Sequence, residues 1–156
     1  MSTSNPQSPW VRVDDGVLAP PSDAARLAFL HGAQPGWEIA ADPRVSALPL
    51  GERLLQEIDR DPAGVSIDLV LGPTGQGKST LLLQLAARLA ARPDLDVLWL
   101  SGPWPTDLEG VAAPLPNDRR TVLVVDQIDE HVSALHQALR ELRRRPGPRS
   151  GLHVVG

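Results

Sequence analysis

The chain has 156 residues, a formal net charge of −4 and no cysteine. This length gives room for one domain with a core of ordinary size, and the absence of cysteine excludes a disulfide framework and thiol chemistry. The mild negative charge argues against direct binding of nucleic acid, and no apolar run is long enough to span a membrane, so we expect a cytoplasmic protein.

The first part of the chain predicts a weakly structured start followed by short helices. Residues 1–21 begin with a run rich in Ser, Asn, Gln and Pro, so we expect them to be disordered or weakly ordered. Residues 22–62 form a predicted helical lead-in, in which Ser22 caps a helix over 23–31 and a second helix covers 51–60. Trp37 lies between these helices and is expected to pack against the core.

Residues 63–156 alternate strands with helices, as in a parallel α/β domain. We predict strands over 65–71, 96–100, 121–125 and 152–155, and helices over 79–91 and 132–145. A proline-rich connection covers 101–117, a turn covers 61–64 and a loop covers 146–151. The fold class is therefore α/β, with three layers and a mostly parallel sheet of four strands.

The first of these strands runs into a phosphate-binding loop. The sequence GPTGQGKS has the GxxxxGK[ST] spacing, in which glycines let backbone N–H groups point at phosphate oxygens. Lys78, the single lysine of the chain, reaches the β- and γ-phosphates, and the Ser79 hydroxyl is a ligand for Mg²⁺. We predict nucleotide binding by Gly72, Pro73, Thr74, Gly75, Gln76, Gly77, Lys78, Ser79 and Thr80.

Asp126 follows an almost wholly apolar strand and supplies the Walker-B carboxylate of a P-loop NTPase. Parallel strands present their carboxyl ends at one edge, so Asp126 should face the same crevice as the loop. We assign Ser79 and Asp126 to the metal and expect ATP and Mg²⁺ as cofactors. No NKxD-like guanine signature is present, and the four histidines have no metal-binding spacing.

The sequence VLVVDQIDE resembles the NACHT-type Walker B of the STAND class of signalling NTPases, in which an aspartate is followed by a small residue, an apolar residue and an acidic pair. Asp126, Ile128, Asp129 and Glu130 match this pattern, whereas Gln127 replaces the small residue. Residues 29–39 also resemble a segment of bacterial defence-type STAND NTPases. The resemblance covers 29–156 and implies an ATP-binding switch with slow hydrolysis, in signalling or antiphage defence.

Two alignments of this segment give different residues as the one that activates water. In the NACHT-like alignment Glu130 activates water and Asp129 supports it. VLVVDQIDE also resembles the AAA+ pattern, in which glutamate directly follows the aspartate; Gln127 then takes the catalytic position, and the chain holds ATP with little hydrolysis. A third interpretation is that Asp129 or Glu130 only caps the helix that begins near Val132.

The resemblance also implies structural elements of the NTPase module that we do not find in the sequence. Such modules place the P-loop strand centrally with a fifth strand on its far side, so four strands leave one flank open. We see no arginine finger, helical lid or repeat array after the fourth strand. The chain therefore resembles the N-terminal half of an NTPase module, and we expect either a fragment or a short protein that a second copy or a partner chain completes. Other functions stay open: an AAA+-like ATPase acting on DNA or protein, a small-molecule kinase, or a nonhydrolysing ATP-binding scaffold.

Overall fold

The structure is a computed structural model that describes residues 8–14, 18, 20–60, 64–105, 119–144 and 151–156. The elements within these ranges are β1 (Trp10–Arg12), α1 (Asp23–Leu30), α2 (Trp37–Ala40), α3 (Pro49–Arg60), β2 (Val65–Asp68), α4 (Lys78–Ala90), β3 (Leu95–Leu100), β4 (Arg120–Val124), a 3-10 helix (Ile128–Glu130), α5 (Val132–Arg144) and β5 (Leu152–Val155). Most of the predicted connection 101–117 and loop 146–151, and parts of the segments 1–21 and 61–64, lie outside the described residues. None of the helices in the described ranges has the length and apolar character of a membrane span.

The strands form one sheet in the order β1-β3-β4-β5-β2. β3, β4, β5 and β2 are parallel, and β1 is antiparallel to β3. The predicted α/β class and mostly parallel sheet are therefore confirmed.

The predicted number of four strands is wrong, because the described residues alone form a sheet of five. The additional strand, Trp10–Arg12, lies in the segment that we expected to be weakly ordered, and it pairs with Leu98–Leu100. Trp10 is buried and its ring meets Trp104 edge-on, with ring centroids 5.8 Å apart. A three-residue strand is too short to show a periodic pattern, and its partner strand lies far along the chain.

Helices cover both faces of the sheet, which explains why residues 122–125, at the end of β4 and directly after it, are all apolar. Successive β4 side chains point to opposite faces: Val122 and Val124 join one core cluster, and Leu123 and Val125 join another. The first cluster includes residues of α3 and α4, and the second includes residues of α5. The sheet is thus the middle of three layers.

The segment before β2 is attached to α4 through a buried glutamine. Gln84 lies in α4, donates to the carbonyl of Ser46 at 3.2 Å and accepts from the amide of Leu48 at 3.4 Å. Trp37 packs edge-on against Trp99, with ring centroids 5.0 Å apart, so the expected core packing of Trp37 is confirmed. The helical lead-in therefore lies on the same face of the sheet as α4.

β2 is an edge strand among the described strands and is fastened to β5 by side chains as well as by backbone pairing. His153 is buried in β5, with Nδ1 2.5 Å from Ser66 Oγ and Nε2 2.6 Å from Asp68 Oδ2. A neutral imidazole satisfies both contacts when Nε2 donates to the carboxylate and the serine hydroxyl donates to Nδ1. The polar residue inside an otherwise apolar strand thereby has partners for both nitrogens.

The connections place two loops at the carboxyl ends of the parallel strands. From β2 the chain crosses through α4 to β3 on the far side of β4, and from β4 it returns through α5 to β5 beside β2. The connection that leaves β2 therefore runs across the sheet in one direction, and the connection that leaves β4 runs in the opposite direction. In open α/β sheets such a reversal leaves a crevice at the carboxyl ends of the strands, where ligands bind.

Candidate functional site

The loop after β2 turns through left-handed glycines into α4. Gly75 has φ 83° and Gly77 has φ 79°, a backbone region that is open to glycine at little cost. Gly77 is the N-cap of α4 and supplies no side-chain bond to the helix. The first amides of α4 therefore keep free donors and the positive end of the helix dipole, which together favour an anion.

The Lys78 side chain folds back on this loop. Its Nζ donates to the carbonyl of Gly72 at 2.7 Å and to that of Pro73 at 3.0 Å. These two carbonyls hold the ammonium against the start of the loop. A phosphate group arriving there can replace them with charge-assisted bonds, which are stronger.

The loop after β4 also turns through a left-handed residue, but this residue is not glycine. Gln127 has φ 57°, and its amide donates to Asp126 Oδ1 at 3.0 Å. The 3-10 helix Ile128–Glu130 follows, with Ile128 buried and Asp129 and Glu130 exposed. The bond to Asp126 and the burial of Ile128 fix this turn at both ends.

Gly156 lies between the two loops, directly after β5. Its amide donates to the carbonyl of Asp68 at 3.1 Å, and its carbonyl accepts from the amide of Val70 at 2.6 Å. A Cβ at this position would lie 2.5 Å from the carbonyl oxygen of Val125 and 2.6 Å from Ile128 Cδ1. The backbone at residue 156 can therefore approach the loop after β4, called the acidic turn here because it carries Asp126, Asp129 and Glu130, only because residue 156 has no side chain.

A cavity of about 680 Å³ opens where these parts meet. Its lining contains Gly72, Thr74, Gly75, Gly77, Lys78, Ser79 and Thr80 from the first loop and Asp126, Asp129 and Glu130 from the second. The structure thus brings together all of the site residues predicted from the sequence except Pro73 and Gln76, which belong to the first loop but do not line the cavity. Gln127 lines it too, so the geometry does not separate the two alignments of the acidic segment.

The remaining wall of the cavity comes from the helical lead-in. Phe29, at the end of α1, and the segment 32–35 line it, and Gly156 lines its floor. Sequence reasoning assigned no site role to any of these residues. The only available signal was the resemblance of 29–39 to a segment of STAND NTPases, which indicated a relationship but no contact.

The sequence model of the family described as Novel STAND NTPase 5 matches residues 27–155. The chain belongs to this family. No curated protein and no solved structure matches it. As a STAND NTPase the chain is a nucleotide-binding NTPase, a class that uses a nucleotide together with a divalent metal.

The residues that line the cavity of this STAND NTPase include side chains with oxygen donors that suit a divalent metal. Within the described part of the chain no group of three or more His, Cys, Asp or Glu side chains could hold a metal ion by itself. Ser79 and Asp126 both line the cavity. A hydroxyl and a carboxylate are hard oxygen donors that suit Mg²⁺, which binds through one or two carboxylates together with substrate phosphates and water. The donor set therefore fits a metal that arrives with a nucleotide.

Proposed function

We propose that the chain binds Mg·ATP in this cavity and hydrolyses it slowly, as a NACHT-type regulatory switch in signalling or antiphage defence. The observation that carries this proposal is the convergence of the first loop, the acidic turn and the Phe29–Pro35 wall on one cavity. Its volume of about 680 Å³ lies within the range of roughly 300 to 1,000 Å³ that is usual for small-molecule sites.

The phosphates occupy the side of the cavity formed by residues 72–80. The amides at the start of α4 donate to phosphate oxygens, and the Lys78 ammonium exchanges its two loop carbonyls for oxygens of the β- and γ-phosphates. Ser79 and Asp126 would hold Mg²⁺, which when bound would offset part of the charge of the triphosphate.

The base and ribose occupy the opposite side, against Phe29 and the segment 32–35. An aromatic ring beside a stretch of exposed backbone provides both a stacking surface and hydrogen-bonding groups for a base. We propose adenine as the base, in keeping with the absence of a guanine signature.

Glu130 orients and deprotonates the attacking water, with Asp129 supporting it. Both carboxylates line the cavity on the turn that follows the proposed metal ligand Asp126. Gln127 lines the cavity as well, which supports a second candidate: a switch of AAA+-like alignment that holds ATP, in which glutamine positions water but cannot accept its proton.

Turnover is slow because the cavity has few fixed cations. Among its described lining residues Lys78 is the only cationic side chain, and no arginine is present. An arginine supplied in trans is worth about 10³ to 10⁵ in rate. We propose that a second copy or a partner chain provides this group, and that the chain works in the cytoplasm without binding nucleic acid directly.

Calorimetric titration with Mg·ATP tests the proposal. Lys78→Ala should weaken binding by about 1.5 to 3 kcal/mol, the scale of a lost charge-assisted contact. Arg88→Ala is the matched control, because Arg88 lies in the same helix but pairs with Glu52 at 2.6 Å, outside the cavity, and should leave binding unchanged. Equal affinity in wild type and Lys78→Ala would refute the proposed phosphate site.

A further inference from the structure

Helix α1 carries one end of the cavity wall but is poorly anchored by apolar contacts. None of its residues is buried, and Leu27 and Leu30 are 57% and 79% exposed. Phe29, in the same helix, nevertheless lines the cavity. Another interaction must therefore hold α1 in place against the phosphate-binding half of the site.

An ion pair between Arg26 and Asp42 supplies this interaction. Arg26 Nε lies 2.6 Å from Asp42 Oδ2, and its Nη1 lies 2.7 Å from Asp23 Oδ1. The Asp42 side chain is only 1% exposed, and its Oδ1 accepts from the amide of Arg44 at 3.0 Å. The hydrogen bond from Arg26, followed by that from Arg44, lowers the pKa of Asp42, so this carboxylate is ionised at neutral pH.

Asp42 itself is attached to the phosphate-binding half. Its amide donates to the carbonyl of Ile39 at 3.2 Å, and Ile39 is buried in α2, which packs against α4. The first turn of α4 carries Lys78 and Ser79. The Arg26–Asp42 pair therefore connects α1, through α2, to the helix whose first turn lines the cavity.

The wall is attached to α1 by the backbone bonds that close the end of that helix. The amide of Gly32 donates to the carbonyl of Phe29 at 2.9 Å, and the amide of Ala33 donates to that of Ala28 at 3.0 Å. Gly32 has φ 88°, the left-handed conformation that terminates many helices. Fixing Arg26 thus fixes the residues from Phe29 to the start of the 32–35 segment.

We propose that Arg26 and Asp42 are positioning residues: their ion pair holds the Phe29–Pro35 wall against the phosphate-binding half and thereby sets affinity for the nucleoside part of the nucleotide. This inference rests on the proposed function. It separates the cavity into a phosphate half that is formed by α4 and its loop, and a nucleoside half whose geometry depends on the ion pair between half-buried Arg26 and buried Asp42. Losing the pair leaves the wall in place only part of the time, and apparent affinity falls in proportion to that fraction.

Two ligands that share the phosphates but not the nucleoside test the inference. The chain is titrated with Mg·ATP and with Mg·tripolyphosphate, as wild type and as Arg26→Ala. We expect Arg26→Ala to raise the Kd for Mg·ATP about tenfold, as when the wall is ordered in a tenth of the molecules, and to leave the Kd for Mg·tripolyphosphate unchanged. Arg26→Lys, which keeps a cation opposite Asp42, should recover part of the loss.

Arg44→Ala is the control for a general effect of removing a cation near Asp42. Arg44 Nε lies 4.0 Å from Asp42 and its side chain is 70% exposed, so both affinities should stay at the wild-type level. Hydrogen exchange provides an independent readout, since the amides of 23–36 should exchange faster in Arg26→Ala while those of α4 keep their protection.

The outcomes separate this inference from the function on which it rests. A selective loss for Mg·ATP supports the positioning role. An equal loss for both ligands shows general destabilisation and overturns it, and unchanged affinity for both overturns it as well. If the wild-type chain binds neither ligand, the proposed function fails together with the inference.

Discussion

Two loops leave the carboxyl ends of β2 and β4, on either side of β5, and both pass through left-handed backbone conformations by different means. The loop after β2 uses glycines, Gly75 and Gly77, at its left-handed positions, whereas the loop after β4 uses Gln127. The first is held around the single ammonium of Lys78, and the second carries three carboxylates, Asp126, Asp129 and Glu130. The glycines of the first loop indicate its left-handed turn in the sequence, whereas Gln127 gives no such indication in the second.

The difference shows that a residue other than glycine can adopt a left-handed conformation that the sequence does not indicate. A left-handed conformation is costly for a residue with a Cβ, and such strain persists only where the surroundings impose it. At Gln127 the imposing contacts are the bond from its own amide to Asp126 and the burial of Ile128 directly after it. The small residue at this place in the NACHT-like pattern has a physical explanation, because glycine makes the same turn without strain.

The largest expected effect is on the rate of ATP hydrolysis, and it identifies which residue of the acidic turn activates water. Glu130→Gln should lower single-turnover hydrolysis of bound ATP by about 10²-fold or more, the usual contribution of a positioned general base, and leave Mg·ATP affinity unchanged. Gln127→Glu should change the rate little. Both rates can be measured by rapid quench, after calorimetry has established that each variant binds the nucleotide.

Two results would contradict this assignment. A rise of tenfold or more in Gln127→Glu, about 1.4 kcal/mol of barrier, would favour the AAA+-like alignment and an ATP-holding switch. A Glu130→Gln variant that hydrolyses normally but melts at a lower temperature would identify Glu130 as a helix-capping residue.

The next effect concerns the residue that keeps the two loops together. Gly156→Ala places a methyl group against the carbonyl of Val125 and the side chain of Ile128, so we expect a loss of about 1 to 3 kcal/mol in the free energy of unfolding, the usual cost of overpacking. Urea unfolding measures this loss. Gly72→Ala is the matched control, since nothing lies within 4 Å of a Cβ added there, and it should unfold like the wild type.

The smallest effect tests the strain itself. Gln127→Gly should raise the free energy of unfolding by a few tenths to about 1 kcal/mol, because glycine removes the left-handed penalty, although it also gains entropy in the unfolded chain. Gln127→Val should lower it, since a β-branched side chain is the least compatible with this conformation. If both variants unfold at the same urea concentration, the turn is not strained in the manner described.

The same contrast explains how much the sequence could predict. The loop between β2 and α4 was predictable because its residues are contiguous and its glycines suit a left-handed turn, and the α/β class followed from the alternation of strands with helices. The strand Trp10–Arg12 was not predictable, because its three residues show no period and its partner is β3. Phe29 and the segment 32–35 reach the cavity only through tertiary packing, and no local pattern marks them.

Gln127 shows a further limit, since nothing in its residue type indicates a positive φ. The same limit applies to Gly156, which looks like an ordinary loop glycine in the sequence. Its role is visible only once β5 lies between β2 and β4, with Val125 and Ile128 against it. Local chemistry predicted the half of the site that is built from one segment, and the fold was needed for the half assembled from several.

The contacts of His153 with Ser66 and Asp68 have a consequence for the order in which the molecule opens. An edge strand is ordinarily among the first elements to separate from a sheet in local unfolding. β2 is joined to β5 by side-chain bonds from a buried imidazole in addition to its backbone ladder, so the two strands should open as one cooperative unit. We therefore expect β2, which leads into the proposed phosphate-binding loop, to resist opening more strongly than its place at the edge of the described sheet would suggest.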